Sequence, residues 1–376
     1  MLKLVLGASG SGKTTLLYAR IRARAEAGKR SILLVPEQFT SSTEARIYRE
    51  LGDALSGMVE SYSFTSLAEH ILAVEGGAAV QTLTDAGRAV LVRRALEELQ
   101  DNVHYYYRHR RSAAFCQMAA ETIDELKSAG LSGQQLQELA RDCGTESAKL
   151  GELALIFQGY ESLLAGTGMD PADRLELAAD RLEAALARDE LPDFLREREV
   201  FIDEFDTFNA PKKRLMGAML AALPAVTVAL CEDGAPMQPG DLELFSGAKQ
   251  VAAQLRQLAR KNGAQVAAPE LLRRDLRHKD APGLAALTEL LETGSCTPPE
   301  SAPELRLFAA ASREEEARCA AAAIRRLMRQ GVRCGKIAVV CRDISLYRAA
   351  VRYEFRMAEI PLYCDEPTTP EFRSEE

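Results

Sequence analysis

The stretch Gly7-Ala8-Ser9-Gly10-Ser11-Gly12-Lys13-Thr14 fits the pattern Gly-x-x-x-x-Gly-Lys-Ser/Thr in full. That is chemistry for a polyphosphate. Glycines let backbone N–H groups turn inward around phosphate oxygens, where a side chain would clash, and the following helix adds the partial positive charge of its N-terminus. Lys13 is placed to reach the β- and γ-phosphates and the Thr14 hydroxyl to ligate Mg2+, with Thr15 counted among the nucleotide-binding residues. An ATP site also needs a carboxylate from another strand. Val200-Phe201-Ile202-Asp203-Glu204, an apolar run ending in two acids, supplies it. Asp203 is expected to hold Mg2+, and Glu204 to orient or deprotonate the attacking water. The plainer alternative is a strand end with a solvated acidic turn.

Two further groups could carry chemistry. Val35-Pro36-Glu37-Gln38-Phe39-Thr40 closes the second apolar run. Loops at strand C-termini line the ligand crevice of an open parallel sheet, so Gln38 and Thr40 are candidates to touch nucleotide or nucleic acid. A capping turn is the alternative. Tyr105-Tyr106-Tyr107-Arg108-His109-Arg110-Arg111 interleaves rings with bases. Rings stack on unpaired bases while arginines meet phosphates, which makes Tyr105, Arg108, Arg110 and Arg111 candidates for single-strand contact. Against this stands a helix with a tyrosine-buried face and a solvated basic face.

The elements that must position these residues follow from hydrophobic pattern. Residues 2–6 and 31–35 are short apolar runs suited to parallel strands buried on both faces, with a helix at 13–27 between them and Pro36 ending the second. A helix near 42–55 and a strand at 58–64 complete an α/β start. From 82 to 190 strand signals vanish and Ala, Leu, Glu, Arg and Gln recur at helical spacing, with breaks near Gly130, Gly144 and Gly166 to Gly168. Strand, helix and strand resume at 199–203, 211–222 and 225–230, followed by a helix at 241–262. Residues 305–309 and 336–341 are expected as strands flanking a helix at 313–330. The tail beyond 365 frays through Glu366-Pro367-Thr368-Thr369-Pro370. The expected organisation is an ATP-binding α/β domain at 1–81 and 196–292, interrupted by a helical insertion at 82–195. A linker at 293–303 and the start of a second α/β domain at 304–376 follow, as though the chain were cut from something longer.

Composition narrows the class. The 376 residues carry 47 Lys+Arg against 55 Asp+Glu, a net charge of −8, with 47% hydrophobic and 27% charged residues. This excludes wholesale disorder and a strongly basic nucleic-acid coat protein. It leaves room for a local basic groove, because field lines follow local distribution more than net charge. The eight cysteines and four histidines are scattered, with no C-x-x-C pair or metal triad, and the cysteines are expected as buried hydrophobes in a reducing cytosol. No run approaches the ~18 apolar residues of a membrane span, and the first residues make no signal peptide, so a cytoplasmic location without membrane contact is expected.

The phosphate loop close to the start, Leu34-Val35-Pro36-Glu37-Gln38, the long helical stretch and Phe201-Ile202-Asp203-Glu204-Phe205 together resemble the AddB family, subunits of the AddAB helicase–nuclease. Ser312-Arg313-Glu314-Glu315-Glu316-Ala317, Lys336-Ile337-Ala338-Val339-Val340-Cys341-Arg342-Asp343 and Ile360-Pro361-Leu362-Tyr363 look like a second superfamily 1 motor domain. The resemblance covers essentially the whole chain, with family members about three times longer. It implies a P-loop (RecA-like) parallel-sheet domain with a large all-helical insertion, then part of a second RecA-like α/β domain. It implies ATP and Mg2+ as cofactors, and as partners DNA and an AddA-type subunit in the processing of double-strand breaks for recombinational repair. A RecB-type nuclease domain and an iron–sulfur cluster would lie beyond residue 376. The chain alone is expected to be a weak or inactive ATPase, with Arg313 or Arg342 as contributors from the second domain. Asp203-Glu204 is intact, whereas Cys231-Glu232-Asp233-Gly234 matches the motor coupling motif poorly. The competing readings are a non-motor DNA-scanning scaffold with a relic ATP site and an unrelated P-loop ATPase or kinase.

Overall fold

The computed structural model of the chain describes residues 1–76, 82–100, 102–109, 111–165, 167–236 and 244–364. They divide into two compact units, Met1–Pro299 and Glu300–Glu376.

The first unit is built on a six-stranded sheet. Its elements open with β1 (Leu2–Gly7), α1 (Lys13–Glu26), β2 (Ser31–Leu34), α2 (Thr40–Leu51), α3 (Asp53–Ser56), β3 (Val59–Tyr62) and α4 (Phe64–Glu75). The helices α5 (Asp85–Glu98), α6 (Ala113–Ser128), α7 (Gly133–Ala140), α8 (Ser147–Leu164) and α9 (Pro171–Ala187) come next. The sheet then resumes with β4 (Glu199–Ile202), α10 (Ala210–Ala222), β5 (Ala225–Cys231), α11 (Ser246–Lys261), β6 (Glu270–Leu272) and α12 (Pro282–Thr293). The strand order is β3-β2-β4-β5-β1-β6, with every described pairing parallel.

Alternation along each strand sends its side chains to two cores, as a strand covered on both faces requires. Leu4, Leu6, Ile32, Leu34, Val200 and Ile202 join residues of α4, α9, α10 and α11. Val5, Leu33 and Phe201 face Leu17, Tyr18 and Ile21 of α1 and Ile47 and Leu51 of α2. Helix boundaries follow local chemistry. Gly52, at φ 76°, divides the expected helix near 42–55 into α2 and α3. Ser63, Ser112 and Ser132 cap α4, α6 and α7 through their side-chain oxygens.

The long helical stretch does not pack as one body. α5 to α8 bury their own core around Leu96, Ile123, Phe157 and Tyr160. In α9, Leu175, Ala178, Ala179 and Leu182 turn instead into the sheet core. Three elements of this unit had no expectation behind them: α4, the short edge strand β6 and α12. The helix expected from 241 begins at Ser246, and 241–243 lie outside the described residues, as do Gly166 and the 366–370 tail.

The second unit corrects the sequence reading. It contains α13 (Arg313–Arg329) and α14 (Ile344–Met357), packed through Ala321, Ile324, Phe355 and Ile360. The strands expected at 305–309 and 336–341 form no ladder among the described residues. A strand exists only through a pairing neighbour. Leu307 and Val340, at 101% and 90% relative exposure, are uncovered among the described residues.

Candidate functional site

The glycine-rich loop leaves β1, between β5 and β6, and runs straight into α1. Gly12, the N-cap of α1, is left-handed at φ 91°, and Gly10 is at φ 82°. A Cβ on Gly7 would come within 2.4 Å of Ser11 Oγ and 2.7 Å of Leu272 O, so only glycine fits there. No side chain caps α1 and its first turn holds no acid, so its leading N–H groups are available to an anion. Ser11 Oγ is buried and has no hydrogen-bond partner among the described residues. An orphaned hydroxyl inside a glycine cradle is what a phosphate oxygen would satisfy. Lys13 Nζ donates to Gly7 O at 2.7 Å and Ala8 O at 2.9 Å, folding over the loop. Burial pushes its pKa below the usual lysine value.

Asp203 reaches the same place from the end of β4, across β5. It is 5% exposed, shares a cavity wall with Thr14, and its Oδ1 accepts from Glu204 N at 3.0 Å. Burial raises its pKa, against the pull of Thr14, of the Glu204 bond and of the Arg46 and Lys13 charges. Glu204 is an exposed residue, yet partial burial of its carboxyl and the adjacent Asp203 charge raise its pKa too. Its backbone is left-handed, φ 65°. Such a conformation costs a non-glycine residue about 1–3 kcal/mol and gathers at functional sites. Thr14, Asp203 and Glu204 line one cavity of about 220 Å3 together with Tyr18, Arg46 and others.

The remaining candidates are distributed differently. Thr15 is exposed on α1. Gln38 sits on the exposed turn after β2 and is not part of that cavity wall, and Thr40 Oγ1 closes the turn onto Glu37 O at 2.9 Å. Tyr106 and Tyr107 are half-buried against the α5–α8 core, with Tyr106 stacked on Phe115 at 5.5 Å. Glu152 fixes this loop by accepting the backbone N–H groups of His104, Tyr105 and Tyr106 at 2.8–3.1 Å. Tyr105, Arg108 and Arg111 are exposed, and Arg110 lies outside the described residues.

A strap with no signature in the sequence follows β6. Leu276 N donates to Gly10 O at 3.0 Å and Arg277 Nη1 to Ser9 Oγ at 3.1 Å, while Asp275 holds the turn through Arg277 N and His278. This brings a guanidinium to the rim of the glycine-rich loop. A Cβ on Gly10 would meet Arg277 Cβ at 2.8 Å. Gly10→Ala is therefore expected to combine about 1–2 kcal/mol of left-handed strain with displacement of the strap. Urea denaturation reads the first and nucleotide affinity the second; a neutral Gly10→Ala on both contradicts this packing.

Comparison with known proteins settles the lineage. Residues 4–288 match the family model described as ADDB, N-terminal. The chain belongs to the AddB family. This AddB-family chain is 33% identical over 379 residues to an ATP-dependent helicase/deoxyribonuclease subunit from Moorella thermoacetica. It is 34% identical over 381 residues to the protein of the same name from Desulforudis audaxviator. The alignments cover 97% of the chain and 32% of each relative, so the chain spans about a third of their length. Among the described residues no helix is long and apolar enough to cross a membrane.

Proposed function

We propose that this chain is the ATP-binding, helicase-like N-terminal region of a DNA helicase–nuclease subunit that processes double-strand ends in recombinational repair. The observation that carries the reading is that Thr14, Asp203 and Glu204 line one cavity beside a glycine cradle holding an orphaned hydroxyl. Gly7, Gly10, Gly12, Lys13, Thr14 and Ser11 would hold the phosphates, with Arg277 at the rim. Thr14 and Asp203 would hold Mg2+, which when bound neutralises phosphate charge. Glu204 accepts a proton from, or orients, a water. Lys13 exchanges its carbonyl partners for phosphate oxygens. The whole protein's nuclease activity, its AddA-type partner and its iron–sulfur cluster are assigned to the remaining two-thirds of such proteins, and the division at 82–195 and near 293–303 is part of the same reading.

ATP turnover with and without single-stranded DNA tests it. Slow turnover raised by DNA supports the motor-like reading. Binding of both ligands without turnover supports the scanning scaffold, and turnover indifferent to DNA points to an unrelated P-loop enzyme.

DNA is placed on the exposed Tyr105, Arg108, Arg111 surface, with Arg110 in the same run. Replacing the three arginines is expected to weaken single-strand binding and flatten its salt dependence by roughly 0.7 per lost contact. Tyr105→Ala costs on the order of 1–3 kcal/mol per stacked base and leaves the salt slope unchanged. Tyr106→Ala lowers thermal stability instead, because its ring is core. Anisotropy titrations at several salt concentrations separate these; parent-like binding by the triple-arginine variant at every salt removes this surface from consideration.

A further inference from the structure

The cavity beside Thr14 and Asp203 has a wall that the phosphate loop does not build. Thr43 and Arg46 of α2 face Tyr18 of α1, with Glu204 at the sheet side. At roughly 30 Å3 per liquid water, about 220 Å3 leaves room for several water molecules. Arg46 is half-buried, and its guanidinium lies over the Tyr18 ring, 4.9 Å from the centroid. That stacking fixes a long side chain which would otherwise sweep the surface. Arg46 lines the same cavity as Asp203 and Glu204, and its positive charge favours the ionised form of both carboxyls. Glu204 in turn has its backbone committed to a left-handed conformation by its N–H bond to Asp203 Oδ1, so its side chain leaves the chain in a direction an ordinary strand end does not offer.

We propose that Arg46 is a positioning residue: from α2 it holds the Glu204 carboxylate at the mouth of this cavity, so that the attacking water is drawn from the α2 side and aligned before hydrolysis. This rests on Glu204 acting on water as set out above. Tyr18 serves as the platform that keeps the guanidinium in place. Arg46 stands apart from the glycine cradle, so nucleotide binding and water alignment are separable functions of two different walls. A helix that starts at the Gln38–Thr40 turn thereby contributes directly to the hydrolytic side of the site.

Equilibrium binding of Mg–ADP and of Mg–ADP–aluminium fluoride, which mimics the transferring phosphoryl group with its aligned water, tests this on the full chain. The variants are Arg46→Ala, Arg46→Lys, Glu204→Gln and the Arg46→Ala/Glu204→Gln pair. Mg–ADP affinity is expected to stay within about twofold throughout, because no variant touches the cradle. The extra tightening given by aluminium fluoride should fall about tenfold in Arg46→Ala and return only in part in Arg46→Lys, which keeps the charge but loses the stacked guanidinium plane. In the Glu204→Gln background, Arg46→Ala should add nothing. Unchanged tightening in Arg46→Ala, or the same loss with and without Glu204, overturns the proposal while leaving the nucleotide site intact. Absence of any aluminium fluoride tightening in the parent overturns the role of Glu204 and this proposal with it, and absence of Mg–ADP binding overturns the cradle itself.

Discussion

Lys127→Ala is expected to lower the unfolding free energy of the first unit by about 3–5 kcal/mol, the loss typical when one partner of a buried ion pair is removed. Lys127 Nζ lies 2.8 Å from Asp170 Oδ2 and 2.8 Å and 3.0 Å from the two oxygens of Asp173. Asp170 is 1% exposed and also accepts the Tyr160 hydroxyl at 2.7 Å. Without the lysine, a buried carboxylate keeps a single phenol as its side-chain hydrogen-bond partner among the described residues. The position matters as much as the energy. Lys127 lies in the last turn of α6 and Tyr160 belongs to α8, both in the separate helical core. Asp170 is the N-cap residue of α9, which packs into the sheet core. The cluster therefore fastens one core to the other. Burial alone would lower the Lys127 pKa, but the two carboxylates outweigh it and the value is raised. A raised folded-state pKa means the contribution is fully present at neutral pH and is lost only as pH rises through that value. Replacing lysine and aspartate together by apolar or neutral residues should recover part of the loss. Urea denaturation checks all three statements, and a Lys127→Ala loss below about 1 kcal/mol contradicts them.

Lys13→Ala is expected to weaken nucleotide binding between about tenfold and a hundredfold. Charge-assisted hydrogen bonds to a phosphate are worth about 1.5–3 kcal/mol, and each 1.4 kcal/mol is a factor of ten. In the structure the ammonium is held by the carbonyls of Gly7 and Ala8, and partial burial lowers its pKa. A phosphate would give this cation a charged partner in place of neutral ones. Folding should be little affected, because Gly7 O keeps the Glu232 N–H as a partner and Ala8 is only half-buried. Displacement of a fluorescent nucleotide, alongside a thermal melt, measures both. Equal affinity in parent and variant contradicts a working phosphate loop.

Legibility from sequence divided along physical lines. Strands buried on both faces announce themselves as apolar runs, so β1, β2, β4 and β5 stand within a residue or two of where the pattern puts them. The edge strand β6 is three residues of Glu-Leu-Leu, defined only by pairing with Val5 to Gly7, and no local pattern encodes that. Helical periodicity marked the stretch from 82 onward but could not say which core each helix serves. Thus α9 and the Lys127 cluster emerged only from tertiary packing. The motif residues Gly7 to Thr14 were readable because glycine and lysine spacing is itself the chemistry. Arg46 was not, since an isolated arginine on a helix surface has no local signature, and Arg277 belongs to the basic run from Arg273 to Lys279, which does not signal that the chain folds back onto this loop. In the second unit the segments at 305–309 and 336–341 read as strands, yet apolar pattern supplies only half of a strand. The partner supplies the rest.

Calorimetric titration of Mg–ATP into the 376-residue chain tests the central claim most directly. A saturable isotherm with one site per chain, abolished or strongly weakened in Lys13→Ala and made insensitive to Mg2+ in Asp203→Asn, is the predicted result. No saturable heat up to millimolar nucleotide, with the parent chain folded by its thermal melt, would contradict it.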